Sequence, residues 1–250
     1  LQNGKTHEPD LVVGADGIHS TIRKQMFGAE KARFTGNVAW RAVIPVERLG
    51  GLVPPPTGCI WAGKQRHAVT TRIRSGQIVN FVGIVEHSDW KIEGWKIEGQ
   101  RADALADFKD WNPTITNLIK KAESLHKWAL FDRAPLPHWH TGHVALLGDA
   151  AHPMLPSMAQ GAVQSMEDAY ILAQSVASSS SSHIPSACND YFQKRIRRTT
   201  KVQKVSMKNL NLFHKKNAWT QFIHYAPIWF AGHFTPILIQ KRYDWLYGKE

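Results

Sequence analysis

The residues best able to do chemistry cluster between positions 144 and 168, VALLGDAAHPMLPSMAQGAVQSMED. An apolar run leads directly into Gly148-Asp149. That sets a carboxylate at the C-terminal end of a buried strand, the edge at which α/β proteins bind ligands. A carboxylate there accepts hydrogen bonds from a ribose-type hydroxyl. Pro156 keeps the chain from entering a helix early, and Ala159-Gln160-Gly161-Ala162 then starts one with small side chains. The backbone N–H groups of Gln160, Gly161 and Ala162 are thereby open to an anion or a polarised carbonyl. An ordinary strand–turn–helix with Asp149 as a cap would read the same way, so the local residues leave both readings open. His138, His140 and His143 lie close in sequence, but no carboxylate or cysteine completes a metal site, and none is expected.

These groups need elements to hold them. DLVVG at 10–14 reads as a short buried strand, and Ser20 can cap the helix TIRKQMFG, which stops at Gly28. Residues 34–46, 59–62, 68–73 and 78–85 are rich in β-branched and aromatic residues and are separated by turn signals, which predicts a mostly antiparallel sheet. WKIEG at 90–94 is repeated at once at 95–99; two copies make no solenoid, and a surface-loop duplication is the simplest reading. Helices are expected at 102–111, closed by Asn112-Pro113, and at 115–123, then strands at 127–131 and 144–147. Residues 159–176 suit an amphipathic helix with Ala162, Met166, Ala169, Tyr170 and Ala173 on one face. SSSSS at 178–182 reads as a flexible linker before a long basic helix, 185–213.

The chain has 250 residues and a formal net charge of +11. Much of that charge lies between Lys194 and Lys216, including Arg195, Arg197, Arg198, Lys201, Lys204 and Lys208, and is expected to be a solvated helix face. Aromatic residues are not interleaved there apart from Phe213, so single-stranded nucleic acid is not indicated. Two distant cysteines, Cys59 and Cys188, fit a reduced, cytoplasmic compartment. LQNGKTHEPD has no signal-peptide core and reads as a hairpin turn at Asn3-Gly4, cut from a larger protein. No apolar run reaches the ~18 residues of a membrane span. The nearest stretch, 222–239, is broken by His224, Pro227, His233 and Pro236. Core packing is its expected use, with weak interfacial or partner association the alternative.

The stretch from Gly142 through Gly148-Asp149-Ala-Ala-His152-Pro153, Pro156, Gln160-Gly161, Glu167 and Asp168 resembles the second flavin motif of the FAD-dependent aromatic hydroxylases, single-component monooxygenases of the p-hydroxybenzoate and salicylate hydroxylase type. Asp10-Leu-Val-Val-Gly14-Ala-Asp16-Gly17-Ile-His-Ser20-Thr-Ile-Arg23 is similar to the family's Asp-Gly signature. Residues 35–41 and 128–135 also match, and Trp245-Leu-Tyr-Gly248 resembles the ending of the fungal branch.

The resemblance implies an α/β fold: an incomplete Rossmann-like FAD-binding domain with an inserted, mostly antiparallel β-sheet substrate domain and C-terminal helices. The implied boundaries are 1–33 and 134–183 for the FAD-binding domain, 34–133 for the substrate domain and 184–250 for the helical region. It implies FAD and NAD(P)H as cofactors and a small aromatic or phenolic substrate, possibly polyketide-derived, hydroxylated with dioxygen. Asp149 would hold the ribitol or ribose region, with Pro156, Gln160, Gly161 and Ala162 near the pyrophosphate and flavin. Asp16 and Gly17 would serve FAD and the nicotinamide cofactor, with Arg23 as supporting cation. Arg41 matches an arginine aimed at the substrate, and His67 matches a histidine able to deprotonate a phenol.

The sequence also departs from the pattern. Thr71 and Arg72 stand where a tyrosine and proline are usual, Ala159 replaces a glycine, and Val163 replaces an asparagine. Alanine is expected to be mild at a helix start. No Gly-x-Gly-x-x-Gly turn for the ADP half of FAD is found, so the chain reads as the C-terminal part of a hydroxylase. A truncated, non-catalytic remnant or partner-binding subunit is the alternative.

Overall fold

The computed structural model describes residues 4–30, 32–87, 97–179 and 183–248. In chain order the elements are β1 (Val12–Gly14), α1 (Thr21–Phe27), β2 (Arg33–Pro45), β3 (Cys59–Gly63), β4 (Arg66–Ile73), β5 (Ile78–Glu86), β6 (Ile97–Glu98), α2 (Arg101–Asp107) and α3 (Pro113–Lys121). They continue with β7 (His126–Asp132), β8 (His140–Thr141), β9 (Val144–Leu146), α4 (Gly161–Ala177), α5 (Ile184–Phe213), α6 (Ala218–Phe234), α7 (Pro236–Lys241) and α8 (Asp244–Tyr247). Most of the WKIEG repeat and the last three residues of the serine run lie outside the described residues, as does Asn3 of the expected terminal turn.

The chain divides into two compact units. One comprises residues 1–35 and 130–210, the other 36–129 and 211–250, so the expected C-terminal helical region is shared between them. In the first unit β1 pairs parallel with β9, which pairs antiparallel with β8. Ser20 caps α1 by accepting from Arg23 N, and Gly28 ends it at φ +83°, as its sequence predicts. Trp139, Leu146, Ala150, Ala151, Leu172, Tyr191 and Phe192 form its core.

The second unit is built on a six-stranded sheet of order β3-β4-β5-β2-β7-β6, antiparallel as expected. Alternation sorts its two faces. Trp40, Ala42, Ile44, Ala68, Val79, Phe81 and Val85 point into a core closed by Phe108 of the α2–α3 region and Ile115, Leu118 and Ile119 of α3. Asn112-Pro113 begins α3 rather than merely ending the helix before it, since Asn112 Oδ1 accepts from Thr114 N at 2.9 Å. Asp107, the last residue of α2, ties the core face down: Trp40 Nε1 donates to Oδ2 at 2.7 Å, His87 Nε2 lies 2.9 Å from Oδ1, and Arg66 bonds the Asp107 carbonyl.

Three expectations are corrected. The face of α4 carrying Ala162, Met166, Ala169, Tyr170 and Ala173 is exposed, Met166 by 71%. Its buried face is Gln164, Asp168, Leu172 and Ser175, because α5 supplies polar partners that satisfy those groups. Arg195 is not on a solvated face but 4% exposed, while Lys194, Arg197, Lys201, Lys204 and Lys208 are exposed. The stretch expected to pack as core does not: α6 has no buried residue and contributes none to the core cluster of either unit described above.

Candidate functional site

Asp149 lies in a 3-10 turn at the end of β9, in the position its sequence implies. The turn depends on Gly148, at φ +62°, where an added Cβ would stand 2.5 Å from Ser165 Oγ. The Asp149 carboxylate is half-buried and forms no hydrogen bond to any described residue. Burial pushes its pKa above the ordinary carboxylate value, against the pull of nearby His152.

Helix α4 opens beside it at Gly161, with Gln160 as an N-cap that makes no side-chain capping bond. An added Cβ on Gly161 would meet nothing closer than 3.9 Å, and the nearest atoms are Asp149 Oδ1 and Met154 Cγ. The first-turn N–H groups therefore face open space next to a carboxylate with unused acceptor capacity. That pairing fits the hydroxyl-bearing and phosphate-proximal part of a flavin dinucleotide. Pro156 starts the 3-10 turn before α4 and Ala162 is exposed, while Gln160 is buried. Ala159 sits between them in the left-handed region at φ +52°, ψ +33°, so alanine is a strained replacement for glycine here, contrary to expectation.

A buried ionic network fixes this corner. Asp168 Oδ2 accepts from Gly148 N at 3.1 Å and lies 2.5 Å from His152 Nε2, while Oδ1 accepts from Arg195 Nε at 2.7 Å. Arg195 also donates to Gln164 Oε1 at 2.7 Å and to Glu167 Oε2 at 2.5 Å, and Glu167 is bound in turn by Arg198. Burial would raise the Asp168 pKa, but the bonds from His152 and Arg195 outweigh it and hold the carboxyl below its usual range. Asp168 thus ties the turn carrying Asp149 to α4 and α5. Sequence reasoning missed Arg195, although its slot was readable: Tyr191, Phe192, Arg195, Thr199, Val202, Ser206 and Leu210 recur at helical spacing and are all buried.

Asp16 caps α1, accepting from Thr21 N at 2.8 Å and Ile22 N at 3.2 Å. Gly17 follows at φ +78°. Arg23 does not support Asp16. It is buried and donates to the Ala150 and Ala151 carbonyls at 3.2 and 3.3 Å, pairing as well with Glu30. The helix that follows the Asp-Gly signature is joined to the Asp149 turn through Arg23.

In the second unit, Arg41 and His67 share the sheet face opposite the core. Arg41 pairs with Val82, Val82 with Val69 and Val69 with Ile60; His67 pairs with Ile84 and Ala62. Arg41, Val43 and Ile60 are exposed, which leaves an open, largely apolar surface carrying one cation. His67 closes one end of that face and is fully buried, its ring 5.1 Å from Phe213. Its Nδ1 lies 2.6 Å from His214 Nε2, and His214 Nδ1 is 3.4 Å from Glu86 Oε1. His67 Nε2 has no hydrogen-bond partner among the described residues. Burial, with His214 second, lowers the His67 pKa to about 3.

A parallel-strand corner with a carboxylate at the strand end, joined in one chain to a large antiparallel sheet, makes this an α/β protein whose strand-end corner is placed as a dinucleotide site would be. Residues 2–206 match the FAD binding domain family, and the chain belongs to it. It is 34% identical over 248 residues to 3-amino-4-hydroxybenzoate 2-monooxygenase PtmB3 of Streptomyces platensis, covering 99% of this chain and 61% of that protein. It is 35% identical over 217 residues to 6-hydroxynicotinate 3-monooxygenase of Bordetella bronchiseptica, covering 86% and 56%. A salicylate hydroxylase solved with its substrate superposes with a TM-score of 0.80 at 26% identity, over 99% of this chain and 64% of that one. The resemblance to the FAD-dependent aromatic hydroxylases therefore holds, and the chain spans about three-fifths of the length of such relatives.

Proposed function

We propose that the chain is the flavin-side and substrate-side portion of an FAD-dependent monooxygenase that hydroxylates a small aromatic or phenolic compound with NAD(P)H and dioxygen. The observation that carries this is the half-buried Asp149 carboxylate, with no hydrogen bond among the described residues, beside the start of α4, where Gln160 makes no side-chain capping bond. FAD, when bound, supplies the electron transfer from NAD(P)H and the activation of dioxygen. Asp149 accepts a hydroxyl of the ribitol or ribose region, and the N–H groups of Gly161 and Ala162 face the anionic side of the cofactor. Pro156 and Gln160 shape the approach. Arg23 supports the turn through the Ala150 and Ala151 carbonyls, and Asp16 and Gly17, before α1, serve FAD and the nicotinamide cofactor.

Arg41 offers a carboxylate or phenolate substrate a charge-assisted hydrogen bond over an apolar strip of Val69 and Val82. His67 stands at the end of the same face with Nε2 unsatisfied, the atom that would accept a phenol proton. Burial makes it a weak base as it stands, so the reading rests mainly on Asp149 and Arg41. Reduced Cys59 and Cys188 suit a cytoplasmic location.

Flavin titration of wild type and Asp149→Ala tests the proposal. A carboxylate hydrogen bond is worth roughly 1.5–3 kcal/mol, so FAD should bind at least about tenfold more weakly to the variant. Equal affinity would remove Asp149 from the cofactor site.

A further inference from the structure

The second unit carries an exposed surface that includes none of the residues assigned above to cofactor or substrate. Trp219, Phe222, Ile223, Phe230 and Phe234 recur along α6 at helical spacing, on one side of the helix. All are exposed, Trp219 by 71% and Phe222 and Phe234 by 65%. Ile237 of α7 extends the stripe and is 64% exposed. The opposite side is where the helix is tied down: Tyr225 Oη donates to the Leu212 carbonyl at 3.0 Å, and Gln221 donates to the Lys215 carbonyl at 3.0 Å. The stripe therefore points away from the rest of its own unit. A contiguous aromatic strip of this kind marks a binding surface.

Charge identifies the occupant. Residues 191–243 contain no Asp or Glu, and their eleven Lys and Arg residues equal the whole net charge of +11. Lys215 and Lys216 precede α6, and Lys241 and Arg242 follow Ile237, so cations bracket the stripe at both ends with no carboxylate between. A second copy packed by a two-fold axis, α6 antiparallel to α6, would set Lys215 and Lys216 against Lys241 and Arg242 and repel. An anionic lipid surface matches both features. Aromatic rings enter the headgroup boundary while the flanking cations meet lipid charge. Among the described residues no helix is long and apolar enough to cross a membrane.

We infer that α6 and α7 form a peripheral membrane-binding face that lies along bilayers rich in anionic lipid. The inference does not depend on the proposed reaction.

The test is co-sedimentation of the 250-residue chain with phosphatidylcholine vesicles, with and without phosphatidylserine, with tryptophan fluorescence followed in parallel. Binding should require phosphatidylserine, weaken with salt and shift Trp219 and Trp229 emission to the blue. Phe222→Glu/Phe230→Glu and Lys215→Glu/Lys216→Glu should each bind at least about tenfold more weakly. All four positions lie outside the cores, and circular dichroism confirms that each variant folds. Binding unchanged in both variants, or no preference for phosphatidylserine, would overturn the inference. So would self-association without vesicles that Phe230→Glu abolishes, since a second copy would then own the face.

Discussion

Arg195 donates to Asp168 across 2.7 Å with both side chains shielded from water, their exposures being 5% and 0%. The pair joins α5 to the turn that presents Asp149. Removing one member of such a pair leaves an uncompensated buried charge, which costs about 3–5 kcal/mol. Arg195→Met should therefore lower the urea midpoint strongly, whereas Arg197→Met, two residues along and exposed, should leave it nearly unchanged. Similar midpoints for the two variants would show that Asp168 is satisfied by His152 and Gly148 alone.

Ala159 predicts a gain. An L-residue in the left-handed region costs roughly 1–2 kcal/mol that glycine avoids. Ala159→Gly should raise the melting temperature by a few degrees, less the entropy of the freer unfolded chain. A lower melting temperature would show that the entropy of the freer unfolded chain outweighs the strain relieved at this position.

Arg41 should affect substrate alone. Arg41→Ala removes the cation of the open sheet face without touching the core beneath it. In an assembled, FAD-loaded enzyme, KM for an anionic aromatic substrate should rise at least about tenfold, while flavin affinity and melting temperature stay put. A parallel fall in flavin retention would make Arg41 a structural residue.

His67 sets an acid limit. Its folded pKa, about 3, lies below the ordinary value of 6.5, so the unfolded chain binds the extra proton between those values. Stability is complete above pH 6.5 and falls by up to about 1.4 kcal/mol per pH unit as pH drops toward 3. His214, also lowered mainly by burial and opposed by Glu86, adds to the same slope. Unfolding of His67→Gln followed across this range should show a shallower dependence, and an identical slope would assign the effect elsewhere.

How far the sequence reveals this depends on the range of the interactions. Ser20, Gly28 and Asn112 announce helix ends because capping is settled within a few residues. The alternation through β2, β4 and β5 is equally local, so the antiparallel sheet is legible, and Asp149 is legible as a strand-end carboxylate. The buried side of α4 is not, since Gln164 and Asp168 are buried only because Arg195, far along the chain, meets them. For α6 the apolar composition reads as core, and nothing local tells an outward stripe from an inward one. Ala159 combines both cases: the missing glycine is visible, but its cost depends on a dihedral that only the fold fixes.

The sheet register has one more consequence. Trp40, locked to Asp107, keeps β2 from slipping, and a one-residue slip would bury Arg41 and expose Trp40. Core residues and residues of the open face alternate on the same strands, so they can change independently. Positions 41, 43, 60, 69, 71, 80 and 82 can therefore be repainted, by evolution or an engineer, without disturbing the packing behind them. That hydrophobic layer keeps the strands in place throughout.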